Sequence, residues 1–512
     1  MTVGASHSIR LVRRIAALSV AVLGLDLSGC ILGSEHPVLD LEIPAGYSHD
    51  PHPSDRAVPG LDWWRGFRSR ELIGFIEEAQ IHNTDIAVAV AQILQADAQV
   101  GISGAPLLPS VSGTANVERQ HQGTASAVSG LASGGGVGLN SNQFSSGLTA
   151  SYMLDFWGKN RATLLAAEET ATAQRYNREV VTLSTTVTVA NAYFTVLAAQ
   201  DQLRVARDNL AASERILKLI QTQFNGGTAS QLDLSQQEAL VANVRASIPP
   251  LIVTRDQNVA ALALLLGRAP AGFKVAGGST TQIAMPRVTP GLPSQLLYQR
   301  PDVRLAEAQL ASTNFSVEAA RAAFFPQITL TGTTGVQSAA LAALFGPGAW
   351  YYTLAAGLTQ PIFDGFLLES QLKLAKGQQL QYLEAYRKAV LSAFSDVEKA
   401  LVAVQQTVQQ EKLQAYAVTA SRKAFEVAET QLRGGTVNLI TVLQAEQTLF
   451  SAENTLVTVR LSKLQAATSL FQALGGGWTP EIAQASAVPP VALVPGVVPL
   501  DAGLPPQPTS AQ

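Results

Sequence analysis

Two stretches of 15 residues carry the same Gly-Gly-Thr turn between segments that are typical of helices. The stretch QFNGGTASQLDLSQQ begins at Gln223, and the stretch QLRGGTVNLITVLQA begins at Gln431. A shift of 208 residues superimposes the two turns, and a shift of 217 brings NTDIAVAVAQI, from Asn83, onto RPDVRLAEAQL, from Arg300. Because the halves stay in register at several points, the sequence predicts an internal two-fold duplication.

A long helical run precedes each turn, from Trp157 to Phe224 and from Phe366 to Arg433. At about 1.5 Å per residue, each run forms a rod of about 100 Å, several times the hydrocarbon thickness of a membrane. Apolar residues recur every seven positions with small residues three positions further on, which predicts a closely packed coiled-coil seam. The first run holds Val189, Val196, Leu203, Leu210, Leu217 and Phe224, with Ala192, Ala199, Ala206 and Ser213. The second run holds Val397, Val404, Val418, Phe425 and Leu432, with Glu411 as an interruption.

The glycine pair ends each rod, because glycine accepts the left-handed conformation at a helix C-terminus. Thr228 or Ser230 in the first half, and Thr436 or Asn438 in the second, can cap the helix that returns. The sequence therefore predicts two αα-hairpins whose tips are the Gly-Gly-Thr turns.

A shorter helix opens each half. The patterns predict one helix from Arg70 to about Ser103 and another from Gln295 to about Phe325. Pro109 and Pro326 follow these helices and end them.

Two strand-like segments follow each short helix, and apolar residues alternate with small polar ones along them. The clearest are PQITLTGTTGVQ and AWYYTLAAGLTQPIF in the second half. Period-two alternation over about ten residues suits a barrel wall between lipid and water, and also a half-buried strand of a soluble sheet. If the strands form a barrel wall, the candidate membrane-interface aromatics are Phe144, Trp350 and Tyr352.

Four strands cannot close a barrel, since about eight is the practical minimum. Either the strands form an open sheet, or several chains share one barrel. A homotrimer would supply 12 strands and a ring of coiled-coil rods, which together form a tunnel.

The N-terminus has the pattern of a secretory signal. Three arginines between positions 10 and 14 precede a short apolar stretch, Ile15 to Leu27, and the tetrapeptide LSGC ends at Cys30. This end resembles a bacterial lipobox, which implies lipidation of Cys30; Ile31 after the cysteine implies release to the outer membrane. No later stretch has about 18 uninterrupted apolar residues, so strands would have to cross any membrane.

These features divide the chain into five parts. They are a signal peptide (1–29), a lipidated linker (30–60), a first repeat (61–291), a second repeat (292–477) and a disordered Pro-rich tail (478–512). The first repeat contains a β-hairpin and a helical hairpin at 109–157 and 157–267, and the second repeat contains the same elements at 326–363 and 366–475. The predicted fold class is an α+β membrane protein.

The composition argues against an enzyme and against a nucleic-acid partner. The net charge is −3, only 14% of the residues are charged, and a single cysteine excludes an intramolecular disulfide. The glycine run from Gly134 lacks the context of a dinucleotide site, and Ser370-Gln371-Leu372-Lys373 has no partner motif. We therefore expect no catalytic residue, no metal site and no cofactor apart from the lipid on Cys30.

Several motifs together resemble the outer membrane factors of the TolC family, in the branch of NodT-type efflux lipoproteins. They are WWRGFRSRELIGFIEEAQIHNTDIAVAVAQI, LPSQLLYQRPDVRLAEAQL, AARAAFFPQITLTGTTG and LTQPIFDGFL. The resemblance covers about residues 30–476. It implies a trimer with a shared 12-stranded outer-membrane β-barrel and a long periplasmic α-barrel, the exit duct of a tripartite pump. The implied partners are a periplasmic adaptor (a membrane fusion protein) and an inner-membrane transporter of the RND or ABC type.

The resemblance also implies roles for individual residues. Those that match the hairpin tips offered to the adaptor are Gly226, Gly227, Thr228, Gly434, Gly435 and Thr436. Asp233 matches an acidic position near the periplasmic gate, whereas Thr441 and Gln444 stand where the family often has Asp. A less charged gate follows, in which we expect Asp233 to bond to the neighbouring hairpin, with Arg433 as the candidate partner.

Two other functions stay open at this point. A secretion duct of type I, which passes polypeptides for an ATP-driven exporter, has the same architecture; the lipobox and the R-P-D-V-R motif favour efflux. A lipid-anchored coiled-coil scaffold with a soluble sheet needs no lipid-facing strands. The cargo cannot be read from the sequence, although only three methionines argue against a dedicated copper path.

Overall fold

A computed structural model of the protein describes residues 43–44, 46–49, 60–121, 140–286 and 291–478. The expected signal peptide, Cys30, the glycine run from Gly134 and the tail beyond Trp478 lie outside the described residues.

Each half consists of a pair of short helices, a pair of strands and a helical hairpin. The first half holds α1 (Arg70–His82), α2 (Thr84–Gly104), β1 (Ser110–His121), β2 (Asn140–Leu154), α3 (Lys159–Asn225) and α4 (Gln231–Leu265). The second half holds α5 (Pro293–Gln299), α6 (Pro301–Ala322), β3 (Gln327–Ser338), β4 (Trp350–Thr359), α7 (Leu367–Arg433) and α8 (Leu439–Ala473).

The expectation of one short helix in each half is wrong, because each is broken into two. At the first break the side chain of Asn83 accepts hydrogen bonds from the backbone N–H groups of Asp85 and Ile86 and so caps α2. At the second break Arg300 is extended because a proline, Pro301, follows it. The two breaks lie at equivalent positions under the 217-residue shift.

Both breaks hold the far end of a helical hairpin. Asn83 Nδ2 donates to the carbonyl oxygen of Leu265 at 2.8 Å, and Arg300 Nη1 donates to that of Ala473 at 3.1 Å. Leu265 and Ala473 are themselves equivalent under the 208-residue shift. The duplication therefore extends to individual hydrogen bonds, although an amide serves in one half and a guanidinium in the other.

The two rods, α3 and α7, are 67 residues each. The seam predicted for α3 is buried over most of its length, but toward the tip Ile216 and Ile220 are buried instead of Leu210 and Leu217. Its buried members are Val189, Val196, Ala199, Leu203, Ala206 and Ser213. The interruption of the α7 seam, Glu411, accepts hydrogen bonds from Lys463 Nζ at 2.5 Å and Arg460 Nε at 3.1 Å. Burial raises the pKa of Glu411, but these two cations outweigh burial and hold it below its usual range.

The helices lie side by side in the order α4, α3, α8, α7, since α3 packs on both α4 and α8, and α8 packs on α7. Three apolar clusters lie along this array. One surrounds Trp63, whose ring stacks on Phe471 with centroids 4.7 Å apart. The second surrounds Val397, and the third lies near the tips around Val442.

Two helical segments, Arg70–Leu107 and Lys159–Asn225, contain a window apolar enough to cross a membrane by length and composition. The first segment is interrupted at Asn83, and the second is the rod α3, which is about 100 Å long. Half of the window in α3 is buried against other helices, which identifies it as a packing surface.

The four strands form one antiparallel sheet in the order β1, β2, β3, β4. The two hairpins expected at 109–157 and 326–363 pair with each other through β2 and β3. Strands β1 and β4 are therefore the two edges of the sheet, and among the described residues each has one side without a partner strand.

Candidate channel wall and hairpin tips

One face of the sheet is apolar across all four strands. The register aligns Val111 with Ala150, Gly332 and Leu354, and further rows hold Tyr152, Leu330 and Ala356, and then Leu154, Ile328 and Leu358. Leu354 is 80% exposed and Val111 is 67% exposed. No other described element covers this face, and a continuous apolar surface of this kind is unusual for water-facing protein.

The opposite face of the same strands is polar. There the register aligns Ser112 with Thr149, Thr333 and Thr353, and Asn116 with Ser145 and Gln337. A sheet that is apolar on one face and hydroxyl-rich on the other suits a wall between lipid and a water-filled lumen.

The three candidate interface aromatics lie on the apolar face. Trp350 pairs with Val336, and Tyr352 pairs with Thr334, with their ring centroids 5.4 Å apart. Both rings are about two-thirds exposed, whereas Phe144, near the N-terminal end of β2, is half-buried. Of the three, Trp350 and Tyr352 have the amphipathic rings that suit anchors at the edge of a lipid layer.

Both hairpin tips have the same backbone geometry. Gly227 and Gly435 have φ values of 76° and 69°, in the left-handed region. The N–H of Thr228 donates to the carbonyl of Gln223 at 2.8 Å, and that of Thr436 to the carbonyl of Gln431 at 3.0 Å. Each threonine hydroxyl donates to the same carbonyl, at 3.0 and 3.1 Å. The Gly-Gly-Thr sequence thus builds two matched Schellman turns, which leave Gly226 and Gly434 exposed beside them.

The four candidate gate residues lie next to the tips. Asp233 closes a capping box, because its carboxylate accepts from Ser230 N at 3.0 Å and Ser230 Oγ at 2.7 Å. These hydrogen bonds lower the pKa of Asp233. Its equivalent, Thr441, donates its hydroxyl proton to Asn438 Oδ1 at 2.8 Å, while Gln444 is exposed one turn further on.

Within one chain, Asp233 and Arg433 have separate partners. Arg433 Nη2 donates to Glu429 at 2.6 Å, one turn back on α7, while Asp233 bonds to its own helix cap. The structure therefore does not place these two side chains together inside a subunit.

The sequence patterns did not predict a charged groove of about 670 Å³ that lies above the tips. It lies between α3, α7 and α8, and its lining includes Arg215, Arg422, Glu429, Glu446 and Glu453. Glu446 is 2% exposed, and its Oε1 accepts a hydrogen bond from Ser213. The signal available in the sequence was a glutamate at a position of the helix that faces apolar neighbours, one turn before Leu449.

The end of the linker contacts the second rod. Ser48 N donates to one oxygen of Glu398 at 2.6 Å, and His49 Nδ1 lies 2.9 Å from the other. Burial raises the pKa of Glu398, but its contacts with His49 and Ser48 outweigh burial and lower it. His49 is thus an anchor of the linker on α7.

The sequence matches the family model of the outer membrane efflux proteins over residues 75–268 and 292–476. Among curated relatives, the pyoverdine export outer membrane protein OpmQ of Pseudomonas putida is 36% identical over 461 residues, covering 90% of this chain and 97% of the relative. The toluene efflux pump outer membrane protein TtgC of Pseudomonas putida is 32% identical, covering 92% and 97%. The cation efflux system protein CusC of Escherichia coli is 28% identical, covering 89% and 97%.

Solved structures have the same fold. The CmeC outer membrane channel of Campylobacter jejuni superimposes with a TM-score of 0.81 at 23% identity, covering 88% of this chain and 96% of CmeC. The open state of the MtrE outer membrane channel of Neisseria gonorrhoeae superimposes with a TM-score of 0.75 at 30% identity, covering 86% and 97%.

The fold class predicted from the sequence is confirmed: four strands per chain contribute to a trimeric 12-stranded outer-membrane barrel, and long coiled-coil hairpins extend from it. The protein is located in the outer membrane, acts in efflux and is not an enzyme. The family model covers both halves, and a relative 36% identical spans nearly the whole chain. This chain therefore belongs to the outer membrane efflux protein family.

Proposed function

We propose that this protein is the exit channel of a tripartite efflux pump and conducts small molecules passively from the periplasm to the exterior. The observation that carries the proposal is the sheet, which is apolar on one face, polar on the other and open at both edges. In a trimer, β4 of each subunit pairs with β1 of the next, so that no edge remains and the polar face lines the lumen.

The hairpins extend this lumen through the periplasm. The exposed tips, Gly226 to Thr228 and Gly434 to Thr436, contact a periplasmic adaptor, because the paired Schellman turns present the same surface six times around a trimer. The adaptor joins the channel to an inner-membrane transporter of the RND or ABC type, which supplies the energy. A lipid on Cys30 anchors the N-terminus to the outer membrane.

The gate lies where the hairpins converge, and its members are Asp233, Arg433, Thr441 and Gln444. Since Thr441 and Gln444 are uncharged, Asp233 is the one carboxylate that each subunit contributes among these four side chains. We expect weaker cation selectivity than in a ring with an acid at all these positions.

The first test is the mass of the detergent-extracted particle, by light scattering corrected for bound detergent, followed by conductance in a planar bilayer. We expect the mass of three chains and discrete channel currents. A particle with the mass of one chain would mean that the strands close no barrel, and a scaffold with a soluble sheet would replace the channel.

Two matched substitutions on β4 test which face meets lipid. Leu354→Arg puts a charge on the apolar face, and Thr353→Arg puts the same charge on the polar face one residue away. Arginine toward lipid costs about 2–4 kcal/mol per chain. We expect L354R to lose membrane-inserted trimers and T353R to retain them, with currents shifted toward anions. Equal assembly of both variants would contradict a lipid-facing sheet.

A further inference from the structure

A buried polar contact joins the two helical hairpins of one chain near the tips. Ser213 on α3 donates its hydroxyl proton to Glu446 on α8, and both side chains are almost fully buried. Gln237 Nε2, on α4, donates to the backbone carbonyl of Ser213 at 2.9 Å. Apolar side chains surround the contact, among them Ile216, Ile220, Val442 and Leu449.

The 208-residue shift repeats both members of this contact without change of residue type. Ser213 on α3 corresponds to Ser421 on α7, and Glu446 on α8 corresponds to Glu238 on α4. In a single chain Glu238 is exposed and Ser421 is only partly buried. Each therefore repeats one half of a buried pair, but lies at an outer flank of the helix array.

A neighbouring ion pair shows that the shift holds for contacts at this level of the rods. Arg245 pairs with Glu214 at 2.8 Å within the first hairpin. Arg422 pairs with Glu453 at the equivalent positions of the second hairpin, with the charges exchanged. The two hairpins are thus in the same register where the Ser and Glu residues lie.

The order of the helices fixes which subunit can complete the second contact. Within a chain the contact joins α3 to α8, in the centre of the order α4, α3, α8, α7. Its equivalent joins α7 to α4, which are the two ends of that order. Only a second copy of the chain can bring its α4 against the flank of α7 that faces away from α8.

We propose that Ser421 of each subunit hydrogen-bonds to Glu238 of its neighbour and so repeats, between subunits, the contact that Ser213 and Glu446 make within a chain. The proposal rests on the trimer of the proposed function. A closed ring then holds six equivalent contacts, three inside chains and three between them.

The contact between subunits has weaker surroundings than the contact within a chain. Ile216 and Ile220 are replaced by Ala424 and Ala428, and the position of Gln237 is held by Ala445, which offers no amide. Less apolar area is therefore buried, and one supporting hydrogen bond is missing. The seam between subunits is the weaker of the two at this level.

Cysteine cross-linking of the full-length trimer tests the pairing. Glu238→Cys and Ser421→Cys are combined in one chain and treated with a short bifunctional thiol reagent, and the products are separated on a denaturing gel. We expect dimers and trimers linked between chains. The matched pair Ser213→Cys with Glu446→Cys is expected to link within a chain and to leave the mass of a monomer, with the link located by peptide mass spectrometry.

A mismatched pair and the single variants serve as controls. Ser395 is an exposed residue on α7, 26 positions and about 40 Å away from Ser421, so Ser395→Cys with Glu238→Cys is expected to give no link. The single variants control for links between identical positions and for Cys30.

Two results separate this proposal from the proposed function. If light scattering gives a trimer and the in-chain pair links, but E238C/S421C does not link between chains, then the pairing is wrong and the channel stands. If the particle has the mass of one chain, the proposed function itself fails, and the pairing fails with it.

Discussion

At the scale of single residues, Glu446 is a buried carboxyl with one hydroxyl partner, Ser213. The Ser213 hydroxyl contacts both the Glu446 carboxyl and the carbonyl of Asn209, at 3.0 Å from the latter. Ser213 has one hydroxyl hydrogen for these two acceptors, so its hydrogen bond offsets only part of the cost of burying an ionised Glu446. Burial raises the pKa of Glu446, and the nearby charge of Glu429 adds to the effect, while Ser213 and Arg215 oppose it.

Glu446→Gln is expected to flatten the pH dependence of stability. A carboxyl whose pKa is raised on folding contributes stability that is present below about pH 4.5, its unfolded value, and is lost as the pH rises through the folded value. The amide oxygen of Gln can still accept the hydrogen bond from Ser213, and Gln does not ionise. We expect the thermal midpoint of the wild-type particle to fall from pH 4.5 to pH 7.5 by more than that of E446Q, measured by circular dichroism in detergent.

The control for that comparison is Glu426→Gln, at an exposed position of the same groove. E426Q is expected to follow the wild-type profile. Parallel profiles for E446Q and the wild type would show that Glu446 takes up no proton on folding.

At the scale of elements, the ends of the helices determine the shape of each half. Gly435 and Gly475 both have a left-handed backbone, with φ values of 69° and 80°. They follow the two helices of the second hairpin and differ in their surroundings. A Cβ on Gly435 meets open space, whereas a Cβ on Gly475 would overlap with the carbonyl oxygen of Gln299.

Because the two glycines differ only in these surroundings, alanine substitutions at both positions form a matched pair that tests the close packing at Gly475. Gly435→Ala pays only for the left-handed backbone, about 1–2 kcal/mol, and is expected to fold and to form trimers. Gly475→Ala adds the overlap with α5, so we expect a strong loss of folded protein from the outer membrane fraction. Quantitative blotting of that fraction, beside circular dichroism of purified protein, is the measurement; equal yields of G435A and G475A would contradict the close packing at Gln299.

At the scale of the whole molecule, two devices would hold the protein at the membrane. One is the lipid expected on Cys30, which lies outside the described residues, and the other is the apolar face of the sheet. A closed barrel buries a continuous apolar band in the lipid, which holds the protein in the membrane independently of an anchor at the N-terminus.

Cys30→Ser is expected to separate the two devices. The intact mass of the wild-type chain should exceed that of residues 30–512 by the bound lipid, and C30S should lack this increment. Because the strands contact lipid independently of Cys30, C30S is expected to remain in the outer membrane as trimers. A wild-type mass that equals the unmodified chain would show that Cys30 carries no lipid.

Much of this architecture could be predicted because its signals are periodic or repeated. Heptad spacing predicted the seam of α3, period-two alternation predicted the strands, and the paired Gly-Gly-Thr turns predicted the tips. Each is a local property of the chain, since helix, strand and turn preferences act over a few residues. The family resemblance added the shared barrel, which four strands alone leave undecided.

Other features depend on contacts between distant parts of the chain, and the tertiary structure decided them. Asn83 and Arg300 break the short helices and hold the ends of distant hairpins, which no spacing reveals. In the sequence Glu411 only interrupts an apolar seam, whereas the structure shows that Arg460 and Lys463 lie opposite it and donate hydrogen bonds to it. The sequence by itself determined the repeated elements and their faces, because those follow from local periodicity. Only the tertiary structure decided which polar groups meet, because a buried polar group is satisfied by partners brought together by packing.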